Sequence, residues 1–327
     1  MKILHIVPGT NDVANGMVVV AKLLAKKQGD AEVVDLSNEI HESGVDEVWV
    51  HGMWLPKEWL ACWRALRLGK RLVRMTHGSL SPVYLKCQSP FKKWLVGPIE
   101  RWCLRRCDRI VATCEAEKGW IQAYLGNHCP PIEVTDIKRF FRLPLNDKTG
   151  QTHFIISRPL HLLYLGRRHP LKGVEYLEQA VAELNSNPVN PVNPVQNPST
   201  CSTRSTRLTT SALSVSQRLC VRFVSNAFGE ELEKVWDWCD VLVLPTLSEN
   251  FGLVIAEALE RGKRVITTDG APAWGEELTG LTGFTGLYSG YEGRLIYLKG
   301  YRDGTDEERV ELLKRAIDML KHDGNMV

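Results

Sequence analysis

The strongest constraint on the fold of this chain is an alternation, run through twice, of short β-rich stretches with longer helical ones. In the first half ILHIV, AEVVDL, EVWVHG, RLVRMTHG and DRIVATC read as strands, with MVVVAKLLAKK, WLACWRALRL and EAEKGWIQAYL as helices among them. Parallel neighbours need a crossover and a helix supplies it, so the pattern predicts an α/β domain with a parallel sheet. The second half restarts with HLLYLG, GVEYLEQAVAEL, LCVRFVS, EELEKVWDWC, DVLVLP, FGLVIAEALERG and KRVITTD, which predicts a second open sheet of the same kind. With 327 residues, 44% of them apolar, the chain can bury both cores. The expected division is a Rossmann-like domain over 1–150, a second over 151–304 and a closing helix in 305–327. In that helix Val310, Leu313, Ala316 and Leu320 recur at helical spacing and should dock on a domain. Residues 185–216 interrupt the grammar: Asn187-Pro188-Val189 recurs in tandem before a Ser/Thr-rich run, and repeated proline opposes helix, so an extended insertion is expected.

A net charge of +3 creates no strong field, and no nucleic-acid partner is expected. MKILHIVPG reaches a Pro-Gly turn too early for a signal-peptide core or a spanning helix and reads as a buried first strand. Nine cysteines without a C-x-x-C pair suit a reducing compartment, which points to a cytoplasmic location. No D-x-D sequence is present to hold a divalent ion, so no metal is expected.

The most informative stretch runs from Pro245 to Asp269, PTLSENFGLVIAEALERGKRVITTD. A strand ends at Pro245, a polar loop follows, and a helix begins near Phe251-Gly252. In doubly wound sheets ligands bind at such junctions, because the first helical turn offers unpaired N–H groups and a positive dipole end. Glu249 precedes the helix and Glu257 lies about two turns on; a carboxylate accepts two hydroxyl hydrogen bonds, as a sugar or ribose diol requires. Taken singly, each has another explanation: Thr246-Leu247-Ser248-Glu249 also fits a capping box, and Glu257 stands one turn before Arg261. In LLYLGRRHPLKGVEYL, Arg167 and Lys172 flank a second strand-to-helix loop, a fork and a point charge suited to a diphosphate.

The E-x7-E string with Phe-Gly inside it, a following Ala and an apolar strand on either side resembles the signature of retaining glycosyltransferase family 4. The family's G-R-x-x-P-x-K-G element maps onto Gly166, Arg167, Pro170, Lys172 and Gly173. The resemblance implies a GT-B fold, two facing Rossmann-like doubly wound parallel-sheet domains with a donor cleft between them. It implies a nucleotide diphosphate sugar of UDP or GDP type as co-substrate, with no other cofactor, and retention of anomeric configuration. Glu249 would contact the sugar in catalysis and His77, in RMTHGSLSP, would line the sugar or acceptor side. Arg167, Lys172 and the helix start at Asn250, Phe251, Gly252 and Leu253 would hold the diphosphate, Glu257 the ribose, and Gly16 would approach a phosphate. Two departures stand out: Asn15-Gly16 where family members often carry adjacent glycines, and Gly270-Ala271-Pro272-Ala273-Trp274-Gly275-Glu276 where Gly-Gly and then Glu is frequent.

Family precedent makes the expected acceptor a glycan or lipid-linked molecule in cell-surface polysaccharide or lipopolysaccharide synthesis. Lys86, Lys92, Lys93, Arg101, Arg105, Arg106 and Arg109, interleaved with Phe91, Trp94 and Trp102, suit either a solvated helix face or peripheral contact with an anionic membrane on the inner face. Two other functions compete. A nicotinamide enzyme would use Asp35, but the glycine fingerprint is missing. A non-catalytic nucleotide-binding or membrane-peripheral scaffold would keep the binding residues without turnover.

Overall fold

The computed structural model describes residues 1–10, 15–36, 44–143, 159–186, 219–225, 227–276, 278, 286–291 and 294–322. Two compact units emerge: Met1–Phe141 together with Ser248–Leu253, and Arg142–Leu247 together with Val254–Val327. The boundary expected at residue 150 and nearly all of the tandem-repeat segment lie outside the described residues.

The first unit comprises, in chain order, β1 (Ile3–Val7), α1 (Gly16–Gln28), β2 (Ala31–Asp35), β3 (Glu47–His51), α2 (Pro56–Arg67), β4 (Arg71–Met75), α3 (Pro82–Cys87), α4 (Pro90–Leu95), α5 (Gly97–Arg105), β5 (Arg109–Ala112), α6 (Glu115–Leu125) and β6 (Ile132–Val134). Its sheet runs β2-β1-β3-β4-β5-β6 with every pair parallel. Strands β1 and β3 are buried along their whole length, His5, Glu47 and His51 included, as central strands of a parallel sheet are when helices cover both faces. Leu4 and Ile6 join Val48, Val50, Leu72 and Ile110 in one core with Ala61, Cys62, Leu104 and Ile121. Val7 packs with Val18 and Ala21 of α1 in another.

The second unit comprises β7 (Leu160–Leu165), α7 (Val174–Ser186), β8 (Leu219–Val224), α8 (Gly229–Trp238), β9 (Val241–Leu244), α9 (Leu253–Glu260), β10 (Arg264–Thr268), β11 (Gly286–Gly290), β12 (Leu295–Lys299) and α10 (Asp306–His322). Its order is β11-β12-β10-β9-β7-β8, parallel except for β11, which lies antiparallel on β12. Helix α10 buries Val310, Leu313, Ala316 and Leu320 and packs on α7. Strand order reverses between β1 and β3 in the first unit and between β7 and β9 in the second. Doubly wound sheets hold ligands beyond the carboxyl ends of the strands at such reversals.

Candidate donor site

In the second unit the loops after β7, β9 and β10 are tied into one surface. The chain leaves β7 through Gly166 and Arg167 and makes a 3-10 turn over Pro170–Lys172, whose entry is capped by His169 Nδ1 accepting from Leu171 N at 3.1 Å. Gly173 has φ 60°, and a Cβ there would fall 2.2 Å from the Pro245 carbonyl oxygen, so only glycine brings this loop onto the end of β9. Leu171 O accepts from Leu247 N at 2.8 Å and from Thr246 Oγ1 at 3.1 Å. Thr246 O in turn accepts from Thr268 Oγ1, and Gly270 N donates to that hydroxyl at 3.1 Å. A Cβ on Gly270 would stand 2.0 Å from Thr246 O. Where the family often has two glycines, this chain keeps the one that the contact with Thr246 demands.

The adjacent arginines part ways on this surface. Arg168 ion-pairs with Glu178 and lies over the Phe223 ring at 5.3 Å. Arg167 is exposed, its carbonyl accepting from Tyr164 Oη at 2.8 Å while its guanidinium has no partner among the described residues. Lys172 is half-buried at the end of the turn. Glu257 is half-buried on α9, and burial pushes its carboxyl above the usual range against the pull of Arg261. Arg261 gives its guanidinium to Glu233 at 3.0 Å and to the Glu257 carbonyl at 3.3 Å, so the intrahelical ion pair that offered another reason for Glu257 does not form.

Gly16, His77 and Glu249 through Leu253 belong to the first unit, whereas Arg167, Lys172 and Glu257 belong to the second. Within the first unit Asn250 Oδ1 accepts from Thr113 Oγ1 at 2.8 Å, and the Ser81 and Ser248 hydroxyls lie 2.8 Å apart. Asn250 N donates to Glu249 Oε1 at 3.2 Å, and Phe251 is buried with its ring 6.3 Å from that of Phe141. Gly252 has φ 69°, the left-handed turn that ends this loop and starts α9. Gly16 opens α1 beside Leu253, and Asn15, the departure from the double glycine, caps that helix by accepting from Met17 N at 3.1 Å. Asp35, the residue a nicotinamide enzyme would turn to a ribose, accepts from Gly9 N at 2.7 Å.

His77 follows β4 with φ 49°, and its Nε2 lies 2.8 Å from His51 Nδ1. Burial and the Arg74 guanidinium hold the imidazole down to about 3, so it is neutral at ordinary pH. Sequence reasoning missed the groups that fix this turn. Glu117, fully buried, accepts from Thr76 Oγ1 and Gly78 N at 2.6 Å and from Thr113 N and Oγ1 at 2.8 Å. An acid in the first turn of a helix after a strand was the available signal. The buried Arg74 donates to Gly52 O at 2.8 Å and pairs with Glu100 at 3.3 Å.

The basic stretch divides as well. Arg109 grips the buried Glu47 at 2.9 Å and is no part of a free surface. Trp94 is 78% exposed, with Leu95, Ile99 and Trp102 also exposed. A cavity of about 410 Å³ opens among Trp54, Leu85, Lys86, Lys93, Arg101 and Tyr124. Phe91 and Lys92 have side chains outside the described set. No helix among the described residues is long and apolar enough to cross a membrane.

Comparison with known proteins fits this geometry. Residues 16–136 match the model of Glycosyltransferase Family 4 and residues 159–286 that of Glycosyl transferases group 1. A D-inositol 3-phosphate glycosyltransferase of Corynebacterium jeikeium is 33% identical over 172 residues, 49% of this chain and 40% of the relative. The chain thus aligns with less than half the length of the curated relatives it matches. Among solved structures, sucrose-phosphate synthase from Thermosynechococcus elongatus superposes with a TM-score of 0.57 at 16% identity, covering 99% of this chain and 92% of that one. Anabaena HepE in complex with UDP and glucose gives 0.56 at 17% identity, with the same coverage of 99% and 92%. Two parallel-sheet α/β units of this kind define the GT-B class of glycosyltransferases. Within that class, the chain belongs to glycosyltransferase family 4, the group 1 glycosyl transferases.

Proposed function

We propose that the chain is a retaining glycosyltransferase that moves a sugar, of hexose type, from a nucleotide diphosphate sugar to an acceptor hydroxyl. The observation that carries this reading is the Arg167 guanidinium, without a partner among the described residues, on a loop locked to the end of β9. Arg167 and Lys172 stabilise the negative charge that grows on the diphosphate as the glycosidic bond breaks, and the N–H groups of Asn250 to Leu253 add to it. Such stabilisation is preorganised, because the turn that carries Lys172 is already fixed. Glu257 takes the ribose diol. Glu249 contacts sugar hydroxyls and supports the oxocarbenium-like transition state, with His77 lining the sugar side and Gly16 close to a phosphate. The leaving phosphate assists deprotonation of the acceptor on the same face. With two cations on the diphosphate, the reaction needs no metal and no cofactor beyond its donor. UDP-glucose is the donor to try first, since HepE was solved with UDP and glucose.

For the acceptor, Lys86, Lys93 and Arg101 around one cavity favour a molecule bearing an anionic group. A phosphorylated small polyol, as in the relative's name, and a lipid-linked precursor of a cell-surface polysaccharide or lipopolysaccharide both carry one. Exposed Trp94 beside Lys93 supports peripheral contact with an anionic membrane at the cytoplasmic face.

The test is release of UDP from UDP-glucose with and without a panel of anionic acceptors. Transfer that falls at least a hundredfold in Lys172→Ala supports the reading; saturable UDP binding with neither transfer nor donor hydrolysis sinks it in favour of a non-catalytic scaffold. Loss of turnover in EDTA would contradict metal independence.

A further inference from the structure

Three histidines, two on adjacent strands and one in the turn after a third, form one hydrogen-bonded row. His5 on β1 is in register with Trp49 of β3, and His51 stands two residues further along β3. His51 is in register with Met75 of β4, and His77 stands two residues beyond that. Side chains two apart share a face of a sheet, so the register sets His5 and His51 diagonally on one face, and the turn after β4 brings His77 beside His51. His5 Nδ1 lies 2.9 Å from His51 Nε2, and His51 Nδ1 lies 2.8 Å from His77 Nε2. The row ends at Gln28, the last residue of α1, whose Oε1 lies 2.7 Å from His5 Nε2. His5 and His51 are fully buried, which leaves water no place in the row.

A neutral imidazole carries one N–H and one lone pair, so a bond between two rings spends the donor of one and the acceptor of the other. Three rings in series must therefore all point the same way. All three are held neutral: burial lowers His5, and burial together with His77, His5 and Arg74 lowers His51 further. The direction is decided at the end that is not a histidine. An amide oxygen only accepts, so His5 donates from Nε2, its Nδ1 accepts from His51 Nε2, and His51 Nδ1 accepts from His77 Nε2.

We infer that Gln28, through the His5–His51–His77 row, fixes His77 as the Nε2–H tautomer and leaves its Nδ1 as a hydrogen-bond acceptor for a hydroxyl of the donor sugar. The inference deepens the proposed function and rests on His77 lining the sugar. Gln28 is a positioning residue: it touches no substrate, and its effect on recognition passes through two buried rings. It also restricts what His77 does, since a neutral ring with a lone pair towards the sugar accepts a hydroxyl proton in a hydrogen bond and does not act as an acid.

The full chain carries the experiment, with Gln28→Lys and Gln28→Glu as variants. Gln28 is half-buried at a helix C-terminus, so both changes alter the terminal group without opening the core; the end of the helix favours the lysine and disfavours the glutamate. Long-range proton–nitrogen correlations on 15N-histidine protein at pH 8 report each tautomer. Nε2–H is expected for all three rings in the wild type and in Gln28→Glu, and Nδ1–H for all three in Gln28→Lys, which offers only donors. A His77 tautomer that is Nδ1–H in the wild type, or unchanged in Gln28→Lys, overturns the inference. Turnover of UDP-glucose against its singly deoxyfluorinated glucosyl analogues reads the consequence, because fluorine cannot donate. Discrimination against one analogue should fall about tenfold in Gln28→Lys, the effect of one hydrogen bond, and discrimination unchanged in that variant also overturns it. His77→Ala separates the two claims: unchanged UDP-glucose turnover there removes His77 from the sugar site, whatever the tautomers show.

Discussion

Glu117 holds Gly78 by accepting its backbone N–H at 2.6 Å, and the same carboxylate binds Thr76 and Thr113 on either side. The turn that presents His77 is therefore fixed by a buried carboxylate from α6, beyond three intervening helices in the chain. Glu117→Ala leaves several buried donors without a partner, and each such group costs about 1–3 kcal/mol. Urea unfolding of Glu117→Ala should show a loss of roughly 3–5 kcal/mol. Glu117→Gln, which keeps the shape but turns an N–H towards one pair of donors, should lose less, and both variants should lower kcat/KM for the donor.

The approach of Gly173 to Pro245 makes a second prediction. A methyl group at 2.2 Å from a carbonyl oxygen has to move one loop or the other, and φ 60° adds strain for any residue with a Cβ. Gly173→Ala should cost about 2–3 kcal/mol, read by denaturant unfolding. Because the displaced loop carries Arg167 and Lys172, KM for UDP-glucose should rise as well. Unchanged KM in the folded variant would separate the loop from donor binding.

The histidine row makes stability depend on pH with a definite sign. His5, His51 and His77 all have folded pKa values below the unfolded value near 6.5. Below about pH 6.5 the unfolded chain takes up protons that the folded chain refuses, so stability falls with acidification, by about 1.4 kcal/mol per pH unit for each ring that stays neutral. For His77 the loss continues down to about pH 3. Unfolding free energies measured between pH 7 and pH 5 should show this slope, and His77→Gln should flatten it by one proton.

Much of the architecture was legible because buried parallel strands leave runs rich in apolar residues, broken by few polar ones: ILHIV, EVWVH, HLLYL and VLVL each fall on a strand of the sheets. The three-residue β6, with only Ile132 partly covered, and the glycine-bounded β11 carry no such run, and neither they nor β12 stood out. The loop residues Arg167, Lys172 and Gly173 were legible from their order around a strand end. Register was not legible, so nothing in the sequence brought His5, His51 and His77 together, and Glu117 looked like any first-turn acid. Equally, Arg167 and Arg168 were the same residue type side by side, and only the positions of Glu178 and Phe223 tell them apart.

That difference yields the last prediction. Arg167 is exposed, without a partner among the described residues, and Arg168 is taken by Glu178, so the same substitution at neighbouring positions should act on different properties. Arg167→Ala removes a charge proposed to meet the diphosphate and should cut kcat/KM for UDP-glucose by about a hundredfold or more, the scale found for a single preorganised donor to a developing anion. Stability should be unchanged, because no described contact of that guanidinium is lost. Arg168→Ala breaks an exposed ion pair and should leave turnover within about threefold, since such pairs contribute little. Parallel steady-state kinetics and thermal melts on the two variants decide it. Equal losses of turnover would mean the diphosphate meets a diffuse basic turn, with no special part for Arg167.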